Sequence, residues 1–442
     1  MSTEYKLGEL EEWNRRIEEL VKASGLDCYE QHFEICNYED MLCYEAYVGM
    51  PSHYPHWSYG KAYERQKTFY KYNLVGLPYE MVINSDPCLA YLMRDNTITL
   101  QILTMAHVYG HNDFFKNNRL FKRDTRADLT VEMFKAHADR IRSYIHDPFI
   151  GPQKVERILD AAHALRFQVQ RHGVKREPLN RQQMAKEANQ LNESVPQRLK
   201  DDLLGFLAEN GRLTEWERDL INIVRDETFY FLPQLETKIM NEGWASFWHY
   251  QILKQLDLPP GMHLEFLQRH NLVIRPFEGG INPYFVGFKV FEYLDKHAGR
   301  NKIMEARAEE RDQSFLRRYI NQELCEEMHL FAYKIRGSDI VVKEVADEEG
   351  WKTVRDDLVS MVGLGSIPVI NPLSVEKGTL NLEHVYDGRE LEMNYARETI
   401  KYAVDLWGGQ INLNTKLNNK NKIINCDVDK IVTILEGSNE EA

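Results

Sequence analysis

The sequence predicts a mainly α protein, a large helical domain carrying a two-helix metal site followed by a small α+β domain. Three observations carry this expectation. Amphipathic segments of helical period recur from the first residues to about position 330 of the 442-residue chain. Two of those segments place imidazole and carboxylate groups at helical spacing inside otherwise apolar runs. Beyond position 330 the pattern turns to short alternating stretches of strand type.

In chain order, residues 5–23 set Leu10, Trp13, Ile17 and Leu20 on one helical face, and Gly25 ends the helix. A second helical segment spans Tyr29 to Tyr47 and stops at Gly49 and Pro51. The aromatic stretch PSHYPHWSYG (51–60) reads as irregular, and 61–72 as helix again. Tyr79 to Ile83 reads as a short strand or extended segment before Pro87. Thr97 to Phe115 is apolar almost all round, the signature of a helix sunk in a core. Helices follow over 130–147 and 153–172, separated by Pro148 and Gly151–Pro152. Residues 174–200, rich in Arg, Gln, Asn and Glu, read as a flexible insertion. Helical period returns over 214–230 and 235–256, and stops at Pro259–Pro260–Gly261. The loop Glu278–Gly280 leads to Asn282–Pro283, a cap and first-turn pair for a helix over 283–297, and 301–328 continues as charged helix.

These elements make up an expected domain over 1–328. The second, over 329–418, would hold strands at Leu330–Ile335, Ile340–Val345, Ile367–Ile370, Leu380–Val385 and Ile411–Asn414. Its helices would be Trp351–Val362 and Ala396–Trp407, with Gly408–Gly409 as the stop, and 419–442 would be a tail with a frayed end.

Composition excludes several function classes. A net charge of −13 argues against a nucleic-acid binder, since phosphate contacts need clustered Lys and Arg. The basic run from Lys116 to Arg126 is short enough to be a solvated loop. No apolar run reaches the ~18 residues of a membrane span. The N-terminal segment has neither the basic flank nor the apolar core of a secretion signal. Six scattered cysteines without a Cys-x-x-Cys pair read as reduced and packed. A cytoplasmic protein is expected. The spacings of phosphate-binding loops are absent, so nucleotide binding has no support.

The chemistry-bearing motifs are two. His107-Val-Tyr-Gly-His111 puts two imidazoles at i, i+4 on one face of the buried helix, close enough to share a metal ion. Two separately satisfied core histidines are the competing explanation. Asn241-Glu242-Gly-Trp-Ala-Ser246-Phe-Trp-His249 aligns Glu242, Ser246 and His249 as a polar stripe among large apolar residues. A carboxylate and an imidazole aimed into such a core need a partner, because burying them alone costs several kcal/mol. A cation held by His107, His111 and Glu242 supplies one; a structural Glu–His pair is the alternative. Imidazole and carboxylate ligands suit zinc, and also iron or manganese.

Other segments can line the same cavity. His56 and Trp57 sit in the aromatic stretch and Tyr284 follows the Gly-rich loop, so these three are candidate substrate-binding residues. Residues Asn112 to Asn118 can orient the ligand imidazoles or simply cap the helix.

The two helices resemble the gluzincin arrangement of metallopeptidases, in which two histidines at i, i+4 and a glutamate of an N-E-G-x-A-type helix bind zinc. That resemblance implies a metal-dependent hydrolase of peptide or amide bonds. Its usual H-E-x-x-H glutamate, the general base, is replaced here by Val108. His249, Asp113 and Glu80 are the candidate catalytic substitutes, and His249 could instead be a fourth ligand that closes the site.

The strings YPHWSYG (54–60), MAHVYGHNDFFKNN (105–118), FLPQLETKIMNEGWASFWH (231–249) and ETIKYAVDLWGGQINL (398–413) resemble the SpoVR (stage V sporulation protein R) family. That resemblance implies a role in spore cortex formation or in the stationary-phase and stress response. It also implies a PrkA-type serine kinase and a von Willebrand A-like protein as partners. A non-catalytic scaffold in such a kinase complex is therefore the alternative to the hydrolase.

Overall fold

In the computed structural model of the chain, which describes residues 5–50, 52–71, 80–171, 195–196, 199–276, 280–336 and 339–437, helix α1 (Leu7–Ala23) turns Leu10, Ile17 and Val21 inward. The expected helix from Tyr29 to Tyr47 is corrected. Its first part is strand β1 (Gln31–Cys36), and only Tyr38–Ala46 forms helix α2, with the Asn37 side chain accepting from the Asp40 N–H. The alternation in QHFEIC was strand-like, but six residues inside a helical context carry little periodic signal.

Helix α3 (Trp57–Lys71) begins four residues earlier than expected. Strands β2 (Glu80–Ile83) and β3 (Cys88–Met93) follow. β1 pairs parallel to β3 and β2 antiparallel to it, giving the order β1-β3-β2. The chain then enters helix α4 (Ile98–Asn117), capped by Thr97 Oγ1, which accepts from the Leu100 N–H at 3.2 Å. Every residue from Thr99 to Phe115 is buried, as the all-round apolar pattern predicted.

Short α5 (Arg119–Asp124), α6 (Thr130–His146) and α7 (Pro152–Leu165) come next. The insertion expected over 174–200 lies almost wholly outside the described residues. Helices α8 (Leu203–Asn210), α9 (Glu215–Glu236), α10 (Lys238–Gln255), α11 (Pro260–Val273) and α12 (Pro283–Ala298) continue the chain. The long charged helix expected over 301–328 is three pieces, α13 (Arg300–Glu309), α14 (Asp312–Tyr319) and α15 (Gln322–Glu327). The second break is a capped helix start: Asn321 Oδ1 accepts from the Leu324 N–H at 2.9 Å.

Strands β4 (Phe331–Arg336) and β5 (Asp339–Val345) form an antiparallel ribbon, followed by α16 (Trp351–Met361). The remaining strands are β6 (Ile370–Glu376), β7 (Thr379–His384), β8 (Ile411–Leu417), β9 (Lys420–Cys426) and β10 (Val432–Glu436), with α17 (Met393–Trp407) between β7 and β8. Residues expected as a tail thus supply two paired strands, β9 and β10.

The molecule is mainly helical, with a sheet-containing C-terminal region. Contacts gather residues into two units, Met1–Lys135 with Leu232–Ser366, and Ala136–Phe231 with Ile367–Ala442. They therefore divide the chain elsewhere than at 328/329, because α16 packs on α14, α15 and the β4–β5 ribbon within the first unit. In the first unit α10 lies against both α4 and α12. In the second, the sheet runs β10-β9-β8-β7-β6 and Leu380, Leu382, Ile411 and Ile424 are buried beside Ile400 and Val404 of α17. Among the described residues no helix is long and apolar enough to cross a membrane.

Candidate metal centre

Backbone proximity brings the two motifs together. A Cβ built on Gly110 of α4 would lie 2.6 Å from the Cα of Ala245 on α10, so only glycine permits this approach. On the other side of α10, a Cβ on Gly243 would lie 2.3 Å from the backbone of Gly287 on α12. The crossings are locked by polar ties. The Trp244 Nε1–H donates to Asp113 Oδ2 at 2.9 Å, and Asp312 accepts from the Ile239 and Met240 N–H groups at 2.9 Å each. Asp312 thereby satisfies orphan donors at the start of α10.

Four side chains converge in the space so defined. His107 and His111 stand one turn apart with ring centroids 4.6 Å from each other. Glu242 Oε2 lies 3.5 Å from His111 Nε2 and 3.8 Å from His107 Nε2. Glu80 Oε1, carried in by β2, lies 3.9 Å from His107 Nε2, and one ligand atom from each of Glu80, His107 and His111 falls within a mutual 4.8 Å. The Tyr284 ring stacks beside His107 at a centroid distance of 6.1 Å.

Second-layer hydrogen bonds decide which nitrogens face the cluster. His111 Nδ1 donates to Asn241 Oδ1 at 2.9 Å, leaving Nε2 as a lone-pair donor aimed at Glu242. His107 Nδ1 meets His249 Nδ1 at 2.9 Å, so its Nε2 is likewise the atom turned to the carboxylates.

The fit to a cation is tested by these gaps. Separations of 3.5–3.9 Å exceed a hydrogen bond. Two tetrahedral ligands each ~2.1 Å from one ion would stand about 3.4 Å apart. Glu242 Oε2 is buried and accepts no hydrogen bond among the described residues. A carboxylate oxygen without a donor among the described residues, facing two imidazole Nε2 atoms, fits a divalent ion well. The histidine side chains are 4% and 8% exposed against 18% and 19% for Glu80 and Glu242, so the carboxylates form the open rim.

Electrostatics agree with a neutral His111 and split carboxylates. Burial, helped by His107, pulls His111 down to about 4. Burial raises Glu80 above its ordinary value despite His107, and the Glu242 charge adds to the rise. Burial also works to raise Glu242, but the His107 and His111 imidazoles and Lys238 outweigh it and hold the carboxyl below its ordinary value. The Glu242 carboxylate and burial push the Tyr284 phenol well above its usual range.

Of the residues singled out from the sequence, the fold brings together His107, His111, Glu242, Glu80 and Tyr284. His249 reaches the cluster only through His107, because its Nε2 is engaged by His270 Nδ1 at 2.8 Å. Neither ring nitrogen is left for an ion or a substrate. Asp113 points elsewhere: its Oδ1 accepts from the Asp27 N–H at 2.8 Å, and Arg307 Nη1 stands 3.3 Å from its Oδ2. With Asn112, Lys116 and Asn117 it clamps residues 27–29 onto α4. His56 pairs with Ser58 Oγ at 2.7 Å, and Trp57 is half exposed with Lys61 over its ring. Sequence reading missed His270, which shares its helix with His263 but at no metal-ligand spacing, and the anchoring role of Asp312.

Comparison with known proteins gives a consistent answer. The SpoVR like protein family model matches residues 4–190 and 175–367. The chain is 33% identical to "Uncharacterized protein YcgB" of Escherichia coli (strain K12), with 90% of each chain covered. No solved structure matches. On the family match and this relative, the chain belongs to the SpoVR-like family.

Proposed function

We propose that the protein is a metal-dependent hydrolase of peptide or amide bonds, with His107, His111 and Glu242 as ligands. The observation that carries this reading is the buried, unpartnered Glu242 Oε2 facing two imidazole Nε2 atoms at non-bonding distance. When bound, a divalent ion such as zinc supplies Lewis-acid polarisation of a carbonyl and lowers the pKa of the water it holds.

Glu80 takes the part of the missing H-E-x-x-H glutamate. It comes from strand β2 rather than from α4, stands beside His107 at the open rim, and has a raised proton affinity suited to a base. It accepts the proton of the attacking water and returns it to the leaving nitrogen. Tyr284, kept protonated by the neighbouring carboxylates, donates a hydrogen bond to the carbonyl oxygen as negative charge develops there. Asp113 and His249 are committed to other partners and take no part in proton transfer with substrate.

The test joins metal analysis to turnover of a panel of chromogenic peptide and amide substrates. Glu80→Gln is expected to retain stoichiometric metal and lose roughly 10²–10⁴-fold in kcat. Loss of the metal together with activity would make Glu80 a ligand and remove it as the base. One observation favours a second reading, a non-catalytic scaffold in a complex with a PrkA-type kinase and a von Willebrand A-like protein. Val108, in the place of the usual glutamate, is fully buried and carries no proton chemistry. That reading expects metal binding with no turnover in wild type.

A further inference from the structure

Three imidazoles in line run from the cluster into apolar surroundings. His107 Nδ1 and His249 Nδ1 are 2.9 Å apart, and His249 Nε2 and His270 Nδ1 are 2.8 Å apart. His107, His249 and His270 are all buried. Tyr250 stacks on His270 at 4.6 Å, and Phe288 closes on it edge-on at 5.1 Å.

A neutral imidazole has one N–H and one lone pair. Because His249 uses both nitrogens, the two bonds must run in the same direction: accepting at one nitrogen obliges it to donate from the other. The tautomers of all three rings are therefore tied. In the outward direction His107 Nδ1–H donates to His249, whose Nε2–H donates to His270, and His107 Nε2 carries the lone pair facing Glu242 and Glu80. In the inward direction His107 Nε2 carries a proton and cannot ligate.

We propose that His249 and His270 are positioning residues, a two-histidine relay that fixes His107 in the Nδ1–H tautomer and so presents its Nε2 as a metal donor. His270 is the decisive member, since its Nδ1 lone pair is the acceptor that gives the chain its outward direction. This inference rests on the metal reading of the preceding section. Burial also depresses His270, which keeps the far end of the relay neutral at physiological pH. Packing alone gives no reason for the arrangement, because a leucine or phenylalanine at either position would fill the same space without two buried N–H groups to satisfy.

The experiment uses the full chain with His270→Leu, which cannot accept a hydrogen bond, and His270→Gln, whose carbonyl oxygen can. Zinc affinity is measured by chelator competition, and the cobalt-substituted proteins are compared by their visible spectra. His270→Leu is expected to weaken zinc binding by about 10–100-fold and to shift the cobalt bands, with His270→Gln close to wild type. Equal behaviour of the two variants, whether both unchanged or both weakened, overturns the proposal. Should His270→Leu fail to fold, histidine ¹⁵N resonances of zinc-loaded wild type decide: His107 protonated at Nδ1 and His249 at Nε2 support the relay, and the opposite pattern overturns it. Failure of wild type to bind zinc or cobalt sinks the metal reading itself, whereas wild-type loading with an indifferent His270→Leu sinks only the relay.

Discussion

Among the described residues histidine is buried against glutamate in two places, and the two differ in one respect. In the second unit His137 Nδ1 of α6 meets Glu227 Oε1 of α9 at 3.2 Å, with both side chains under a tenth exposed. There the pair closes on itself, as a structural ion pair or hydrogen bond should. In the first unit the same residue types stop 3.5–3.9 Å short of one another, and a buried carboxylate oxygen accepts nothing from the described residues. Burial of histidine and glutamate therefore does not mark a metal site. What sets the proposed metal site apart is the 3.5–3.9 Å spacing of its ligand atoms, together with the close approach of Gly110 to Ala245 across the α4–α10 crossing.

That contrast can be broken most forcefully at the crossing. Gly110→Val puts branched carbon where Ala245 backbone already stands, and is expected to cost about 3 kcal/mol or more. Thermal melting would show it, and zinc affinity should fall with it because α4 and α10 no longer set the gap. A cost below about 1 kcal/mol would mean that the helices adjust freely and that the spacing is not enforced.

At the closed pair the expectation reverses. Glu227→Leu strands the His137 Nδ1 in the core and should destabilise by about 1–3 kcal/mol in denaturant titration while leaving metal content untouched. A change in bound metal would erase the distinction between the two sites.

A pH experiment sharpens the account of the relay in metal-free protein. His270 has a folded value of about 4 against an ordinary 6.5, so the folded state binds fewer protons than the unfolded state between those limits. Its contribution is complete above pH 6.5 and is lost as pH falls towards 4. The stability advantage of wild type over His270→Gln should therefore shrink on acidification, by on the order of 2 kcal/mol at about pH 4.5. A difference that stays constant with pH would show that His270 is not held neutral. The smallest effect is expected at Trp57, half exposed at the start of α3: Trp57→Ala should change stability by less than about 0.5 kcal/mol and leave zinc affinity unaltered.

The parts of this fold that could be read from sequence are those with a long or rigid pattern. The α4 helix was legible because large apolar residues recur on every side of Thr97 to Phe115, and the i, i+4 histidines on it can only share a face. The α12 start was legible because Asn282–Pro283 has a local capping mechanism, and Asn282 Oδ1 accepts from the Tyr284 N–H at 3.0 Å. Short strands are less legible: β1 lies in a stretch of helical period and pairs across the chain, Gln31 opposite Cys88, while β9 and β10 fall in the polar stretch expected as a tail. The same non-locality divided the candidate bases. Nothing in the sequence says that β2 delivers Glu80 to His107, that Trp244 and Arg307 claim Asp113, or that His270 occupies the far nitrogen of His249. The two units divide the chain elsewhere than at the expected 328/329, since α16 and the β4–β5 ribbon look like the start of a new module, yet α16 packs on α14 and α15.

The central claim is that the interval between His107, His111 and Glu242 is a metal site, and metal stoichiometry with X-ray absorption on the zinc-loaded protein tests it most directly. The account predicts one zinc per chain in wild type, a coordination shell containing two imidazole nitrogens and carboxylate oxygen, and loss of that zinc in Glu242→Gln but not in Glu227→Gln. Wild-type protein that takes up no stoichiometric metal, or Glu242→Gln protein that keeps the same shell, would contradict it.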